Sequence, residues 1–442
     1  MAGGTFTAMN KVRPGAYINF VSVPRPMMTV GDRGIGTFGM ALDWGADDEL
    51  IDVYSTDMLD GKSLAKVGVT AFDSGAKLLN LMLSNCYMAK IYRLNTGGAW
   101  ATATLGSLTT RAKYTGKFGN NITVSISAEG SLFVVSTFVR GTLVDKQKVL
   151  TISELENNDF VIFSGTGALV ATASKPLTGG TSDSISPSTA YPAYFALAKM
   201  ARWQTMAITQ DGTIVNPLVK TFIENLRNDE GRYVQAVVAN YDGADSEGVI
   251  NNINGARIEG VNVTAAEMTA WVAGATAGAT IVQSNTGRVV TGATQIIGEL
   301  DNAGIIDALN AGKFVLSTNQ RGEIIVEQDI NSLHTFTATK NNAFRKNRII
   351  RTLDEIGTTI GDIWEQSYKG KVNNNEDGRA VFKGDVVAYF NTLQDMGAIQ
   401  EFAGADDVEV TMGADLDVVV CNVFVRPVDS MEKLYMTVNV IG

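Results

Sequence analysis

Along Glu432 to Gly442, Leu434, Met436, Val438 and Val440 alternate with Tyr435, Thr437, Asn439 and Ile441. This period-2 pattern predicts a strand that runs to the last residue. Past Lys433 it carries neither charge nor proline, the devices that keep a free sheet edge from pairing with another chain. Near the other end, Arg13 to Ser22 predicts a second short strand, set off by Pro14-Gly15 after a polar leader. Both read as donor strands for the sheet of a neighbouring subunit, through Gly15, Tyr17, Ile18 and Phe20 and through Leu434, Met436, Val438 and Val440. The pattern alone equally allows both to pair inside their own chain.

Between these arms the periodicity changes three times. Residues 23–95 have α/β texture: strands at Met27 to Val30, Ile35 to Ala41 and Met88 to Leu94, and an apolar-rich helix at Ser74 to Cys86. From Ala99 to about Ser184 short strands alternate with Gly, Asn and Ser turns, at Leu108–Tyr114, Ile122–Ser127, Leu132–Arg140, Thr142–Thr151, Phe160–Phe163 and Ala168–Ala173. That spacing predicts an antiparallel β-sandwich or small barrel inserted into the chain, closed by a polar linker at Thr178 to Ser188. Helix and strand then alternate again: helices at Tyr191–Trp203, Asn216–Asp229, Thr264–Ala277 and Ala293–Asn302, strands at Thr205–Thr209, Val234–Ala239, Phe314–Ser317 and Glu323–Val326. The Gly- and Ala-rich run Ala270 to Thr280 suggests close packing. Two long helices, Asn341–Lys369 and Gly378–Leu393, precede strands at Val408–Met412 and Leu416–Val425, the latter apolar on both faces as a fully buried strand is. The expected class is α+β multidomain, an α/β core with an inserted antiparallel β-sandwich and extended N- and C-terminal strand arms. The divisions are 1–22 and 431–442 for the arms, 23–98 and 340–430 for the two core parts, 99–184 for the insert and 185–339 for an α/β middle domain.

Composition narrows the function. The net charge of −10 argues against a general nucleic-acid surface. One histidine and two cysteines leave no His/Cys constellation for a transition metal, and Cys86 and Cys421 sit among apolar neighbours as small hydrophobes do. The start of the chain lacks the apolar core of a secretory signal, and no window approaches the ~20 apolar residues of a membrane span. No cofactor is called for. Gly34-Ile-Gly36-Thr-Phe-Gly39 has the GxGxxG spacing of a dinucleotide loop, but the pattern continues as strand where that fingerprint needs a helix start. A nucleotide-binding oxidoreductase built on Gly34 to Gly39 is thus one alternative, and a non-contractile surface adhesin using the β insert is another. His334, in a polar Leu-His-Thr context, reads as a surface or loop residue. Lys340, Arg345, Lys346, Arg348 and Arg351 gather at the start of a long helix, the electrostatically poor end for cations, which suggests an acidic partner.

Three stretches carry a likeness. Arg13 to Phe20 (RPGAYINF), Tyr114 to Ile122 (YTGKFGNNI) and Val418 to Gly442, with Val425-Arg-Pro-Val-Asp429, resemble contractile tail sheath proteins, and most closely the short sheaths of Gram-positive prophage and R-type bacteriocin particles. The resemblance implies a subunit that polymerises as stacked hexameric rings around an inner tail tube protein, ends at baseplate and terminator or collar proteins, and contracts without nucleotide. It implies that the arms add strands to neighbours' sheets, with the strand holding Val418, Val420 and Phe424 as acceptor. Arg345, Lys346, Arg348 and Arg351 then become expected contacts to the tube. No nucleic acid and no membrane insertion are implied, and the particle would form in a host cytoplasm and leave by lysis.

Overall fold

The computed structural model describes residues 33–210 and 212–441, together with the backbone of a parallel pair of two-residue strands, Gly3–Gly4 and Ala16–Tyr17. Gly15, Ile18, Phe20 and the expected strand Met27 to Val30 lie outside the described residues. Two compact units divide the chain. The larger comprises residues 31–358, 396–400 and 426–442; the smaller comprises residues 1–30, 359–395 and 401–425.

At the heart of the larger unit is a seven-stranded sheet. Its order is Lys313–Phe314, Val249–Asn252, Gln235–Ala239, Thr205–Ala207, Ile35–Met40, Met88–Arg93 and Leu50–Tyr54, and only the last pair is antiparallel. Parallel strands covered on both faces read as continuous apolar runs, and Gln235–Ala239 is buried at every position. One face is covered by the helix Ala265–Gly278, whose Ala270 to Ala277 are all buried. Thr264 caps it, accepting from the Glu267 amide while the Glu267 carboxylate accepts from the Thr264 amide. Small residues let this helix touch the chain beside it. A Cβ on Gly274 would stand 2.3 Å from the Met82 carbonyl oxygen, and one on Gly278 would stand 1.9 Å from that of Asn85. The run Ala270 to Thr280 is therefore a packing device.

The insert is a sandwich of two antiparallel sheets. One orders Thr142–Val149, Leu132–Val139, Ile122–Glu129 and Thr172–Pro176; the other orders Val161–Ser164, Leu108–Ala112 and Thr102–Leu105. They enclose a core that includes Leu105, Leu108, Ile122, Val124, Val135 and Val161, and Trp44 joins it from outside the insert. Arg140 and Gly141, both at positive φ, make the two-residue hairpin turn between Val139 and Thr142.

Four expectations change. Ala293 to Asn302 is not a helix: Ala293–Ile297 is a strand paired with Gly255–Ile258, and the helix starts at Asn302, capped by Asp301. The β-branched pair Ile296-Ile297 favours the strand. The long helix expected from Asn341 is a 3-10 turn at Asn342–Arg345, an α-helix at Asn347–Ile363 and a π turn at Trp364–Tyr368. Leu416 to Val425 is not a fully buried strand. In the smaller unit Val419–Val423 pairs on one side with Val408–Met412, against which the helix Glu376–Asp395 packs, and among the described residues it has no second neighbour. Glu432 to Ile441 forms no strand, because no partner strand lies alongside it among the described residues.

Two glycine substitutions test this packing. Gly274→Ala forces backbones apart and lowers stability by about 1–3 kcal/mol in chemical denaturation. Gly384→Ala, in the helix Glu376–Asp395 with nothing within 4 Å of the added methyl, raises it by up to about 1 kcal/mol.

Candidate assembly surface

The segment that follows the smaller unit's hairpin returns to the larger one. Arg426–Pro427 pairs antiparallel with Ile399–Gln400, and the Val428 amide donates to the Ala398 carbonyl. Four residues on, the Glu432 carboxylate accepts hydrogen bonds from Thr286 Oγ1 at 2.8 Å and Gln328 Nε2 at 2.7 Å and forms an ion pair with Lys346. Burial alone would push the Glu432 carboxyl up, but the donors of Lys346, Gln328 and Thr286 outweigh it and hold it below the ordinary glutamate value. Beyond this point every described side chain is exposed, from Leu434 at 84 % to Val440 at 91 % and Ile441. The apolar alternation read from the sequence is thus on open display.

The expected acceptor residues are also uncovered. Val418 and Val420 are each 39 % exposed and Phe424 68 %, on the hairpin of the smaller unit. Asn374 Nδ2 donates to the carbonyls of Leu416 and Val418, which fixes the approach to this strand. Among the described residues one edge of Val419–Val423 has no partner strand, and Val420 and Asn422 on one of its faces are exposed.

The basic cluster is divided by its surroundings. Arg351 is 1 % exposed and pairs with Asp329 at 2.7 Å; Lys346 pairs with Glu432 and stands 3.8 Å from Asp429; Lys340 pairs with Glu247. The acidic partners suggested by the sequence are, for these three, in the same chain. Arg345 and Arg348 are half-buried, and burial lowers the pKa of both.

Asp329 is the hub that periodicity does not reveal. Its carboxylate accepts from Arg351, from the Asn285 amide at 2.9 Å and from Asn347 Nδ2 at 2.9 Å. Complete burial would raise its pKa, but Arg351 and these hydrogen bonds leave it lowered. The Asp329 amide donates to Thr286 Oγ1, the same hydroxyl that donates to Glu432. The only sequence signal for Glu432 was its position, an acid at the foot of an apolar strand.

The glycine loop has a structural explanation. Gly36 and Gly39 lie inside the strand Ile35–Met40, where a Cβ would come within 2.5 Å of Met82 Sδ and 2.8 Å of the Leu94 side chain. His334 is in a loop, its Nδ1 2.9 Å from the Ser332 carbonyl. Cys86 is buried and Cys421 half-buried, and both are free. Among the described residues no group of three or more His, Cys, Asp or Glu could hold a metal ion, and no helix is long and apolar enough to cross a membrane.

Comparison with known proteins gives one consistent family. Family models match in three places: the phage tail sheath protein beta-sandwich domain at residues 96–183, the central domain at 188–332 and the C-terminal domain at 339–441. The phage-like element PBSX protein XkdK of Bacillus subtilis is 34% identical over 472 aligned positions, covering 100% of both chains. The crystal structure of a sheath tail protein from Desulfitobacterium hafniense superimposes with TM-score 0.83 at 40% identity, over 96% of this chain and 99% of that one. At 11% identity the contracted helical sheath of the anti-feeding prophage shares the fold, with TM-score 0.58 over 97% of this chain and 99% of that one.

The buried Asp329–Arg351 pair yields a prediction with a pH signature. Asp329→Asn leaves the Arg351 guanidinium buried without its counter-charge, which costs about 3–5 kcal/mol in urea denaturation at neutral pH. Because the folded pKa of Asp329 lies below its unfolded value of about 4, its contribution is complete above that pH and is lost as the pH falls through the folded value. The wild-type stability curve therefore falls on the acid side, and the variant's falls less steeply.

Proposed function

Because the chain belongs to the phage tail sheath family, we propose that it polymerises as stacked hexameric rings, in a helical array around an inner tail tube protein, and contracts to drive that tube through a target envelope. A tail sheath subunit needs subunits that rotate and slide while remaining linked, and tethered strands meet that need. The observation that carries the reading is a pair of incomplete β elements in one chain. Residues 433–441 present alternating apolar side chains with no sheet, and Val419–Val423 is a sheet strand with an edge left open among the described residues. Each supplies what the other lacks, and strand addition between copies satisfies the backbone groups of both. Leu434, Met436, Val438 and Val440 are the donor residues in this reading, with Val418, Val420 and Phe424 on the acceptor. The N-terminal arm, with Gly15, Tyr17, Ile18 and Phe20, belongs to the same proposal, as do the domain limits given above.

The proposed tube contact rests on Arg345 and Arg348, since Lys346 and Arg351 are taken up by ion pairs within the chain. Baseplate and collar proteins would bind the ends of the polymer, and particles assembled in a host cytoplasm would leave by lysis. The relatives are structural sheath proteins, and nothing in this reading calls for catalysis.

Deletion of Leu434 to Gly442 is expected to leave a folded protein, by circular dichroism, that no longer forms long striated tubes in negative-stain microscopy. Unchanged tubes would contradict strand donation. Charge reversal at Arg345 and Arg348 is expected to weaken co-sedimentation of sheath with tube most strongly at low salt, where such attraction is least screened. Equal co-sedimentation at all salt concentrations would remove the tube contact.

A further inference from the structure

Residues 426–441 are held at two places and then released. The first is the pairing of Arg426–Pro427 with Ile399–Gln400, extended by the Val428 amide; the second is Glu432. Among residues 431–441, Glu432 alone is not exposed. Its carboxylate is gripped from three separate parts of the chain: Thr286 in the turn after Asn285, Gln328 just before Asp329, and Lys346 just before the helix Asn347–Ile363. Ser430 Oγ adds a weaker contact at 3.4 Å, and Asp429 stands on the far side of Lys346. Two of the gripping residues adjoin members of the buried Asp329 network, and the third shares its hydroxyl with the Asp329 amide.

We propose that Glu432 is a positioning residue for assembly: it fixes the point and direction at which the donor segment leaves its own subunit, using Lys346 as its counter-charge. This rests on the donor-strand reading of residues 433–441. With the carboxylate seated, the free segment begins at residue 433; without it, the freed segment reaches back to residue 429, next to the last backbone hydrogen bond at Val428. A tethered strand reaches its acceptor at an effective concentration that falls with about the three-halves power of the free length, so the longer tether alone weakens capture by roughly two-fold. Loss of the fixed direction adds to this. Lys346 then acts inside the subunit and offers no charge to another chain.

The test uses the full-length protein and reads the critical concentration for tube formation by sedimentation, beside the denaturation midpoint of the dispersed subunit. Glu432→Ala is expected to raise the critical concentration by about two- to five-fold, with the midpoint modestly lowered by the lost contacts and the subunit still folded at the assembly temperature. The double variant Glu432→Ala with Lys346→Ala is expected to assemble no worse than Glu432→Ala alone, because the two side chains act as one contact. An unchanged critical concentration in Glu432→Ala would overturn the inference. So would a defect no larger than that of Gly274→Ala at a matched midpoint, or defects of Glu432→Ala and Lys346→Ala that add independently in the double variant. Deletion of Leu434 to Gly442 separates the two levels: intact tubes there sink the donor-strand reading itself, whereas lost tubes beside an indifferent Glu432→Ala sink only the positioning role.

Discussion

A buried carboxylate and guanidinium cannot be left half-paired, and the Asp329–Arg351 contact imposes that condition on everything around it. To satisfy Asp329, the Asn285 amide, the Asn347 side chain and Arg351 must converge on one point, which locks together the turn at residues 283–287, the segment around residue 329 and the first turns of the helix Asn347–Ile363. Thr286 carries the arrangement outward, accepting from the Asp329 amide and donating to Glu432. The rigid interior and the root of the exposed segment are thus two ends of one hydrogen-bonded chain. A second charged pair of the same kind, Arg227 with Asp354 at 2.7 Å, fastens the same helix to the helix Val215–Asn228.

The division of labour follows from where apolar surface is spent. In the larger unit the sheet and the small-residue helix Ala265–Gly278 bury their apolar groups within one chain, at backbone separations that allow no added methyl. In the hairpin Val408–Met412 with Val419–Val423, and in residues 433–441, apolar groups remain in the open. Exposed alternating apolar segments of this kind are what pairing with another chain would cover. The relatives it matches are phage tail sheath domains and a sheath tail protein of Desulfitobacterium hafniense.

Legibility in the sequence tracked how local the cause was. The β insert was readable because each of its hairpins is set by nearby turns such as Arg140-Gly141, and the helix expected at Thr264–Ala277 is the observed Ala265–Gly278. Ala293–Ile297 was misread as helix because its partner, Gly255–Ile258, is remote in the chain, and only that pairing decides between the two periods. Leu416 to Val425 looked buried since periodicity reports that a strand is apolar on both faces, without saying whether its cover comes from its own chain. The cations at the start of the long helix were visible as a cluster, yet their fates were set by Asp329, Glu432 and Glu247, none of them near in sequence. The absence of a helix start after Gly39, by contrast, could be read locally, and the strand Ile35–Met40 accounts for both inner glycines.

The central claim is that residues 433–441 complete the sheet of another copy, on the open edge of Val419–Val423. Amide hydrogen exchange, followed by mass spectrometry in dispersed subunits and in assembled tubes, addresses it most directly. The account predicts that the amides of residues 433–441 exchange rapidly in the dispersed protein and become strongly protected in tubes, together with those of residues 419–423. Tubes in which residues 433–441 still exchange as fast as in the free subunit would contradict it.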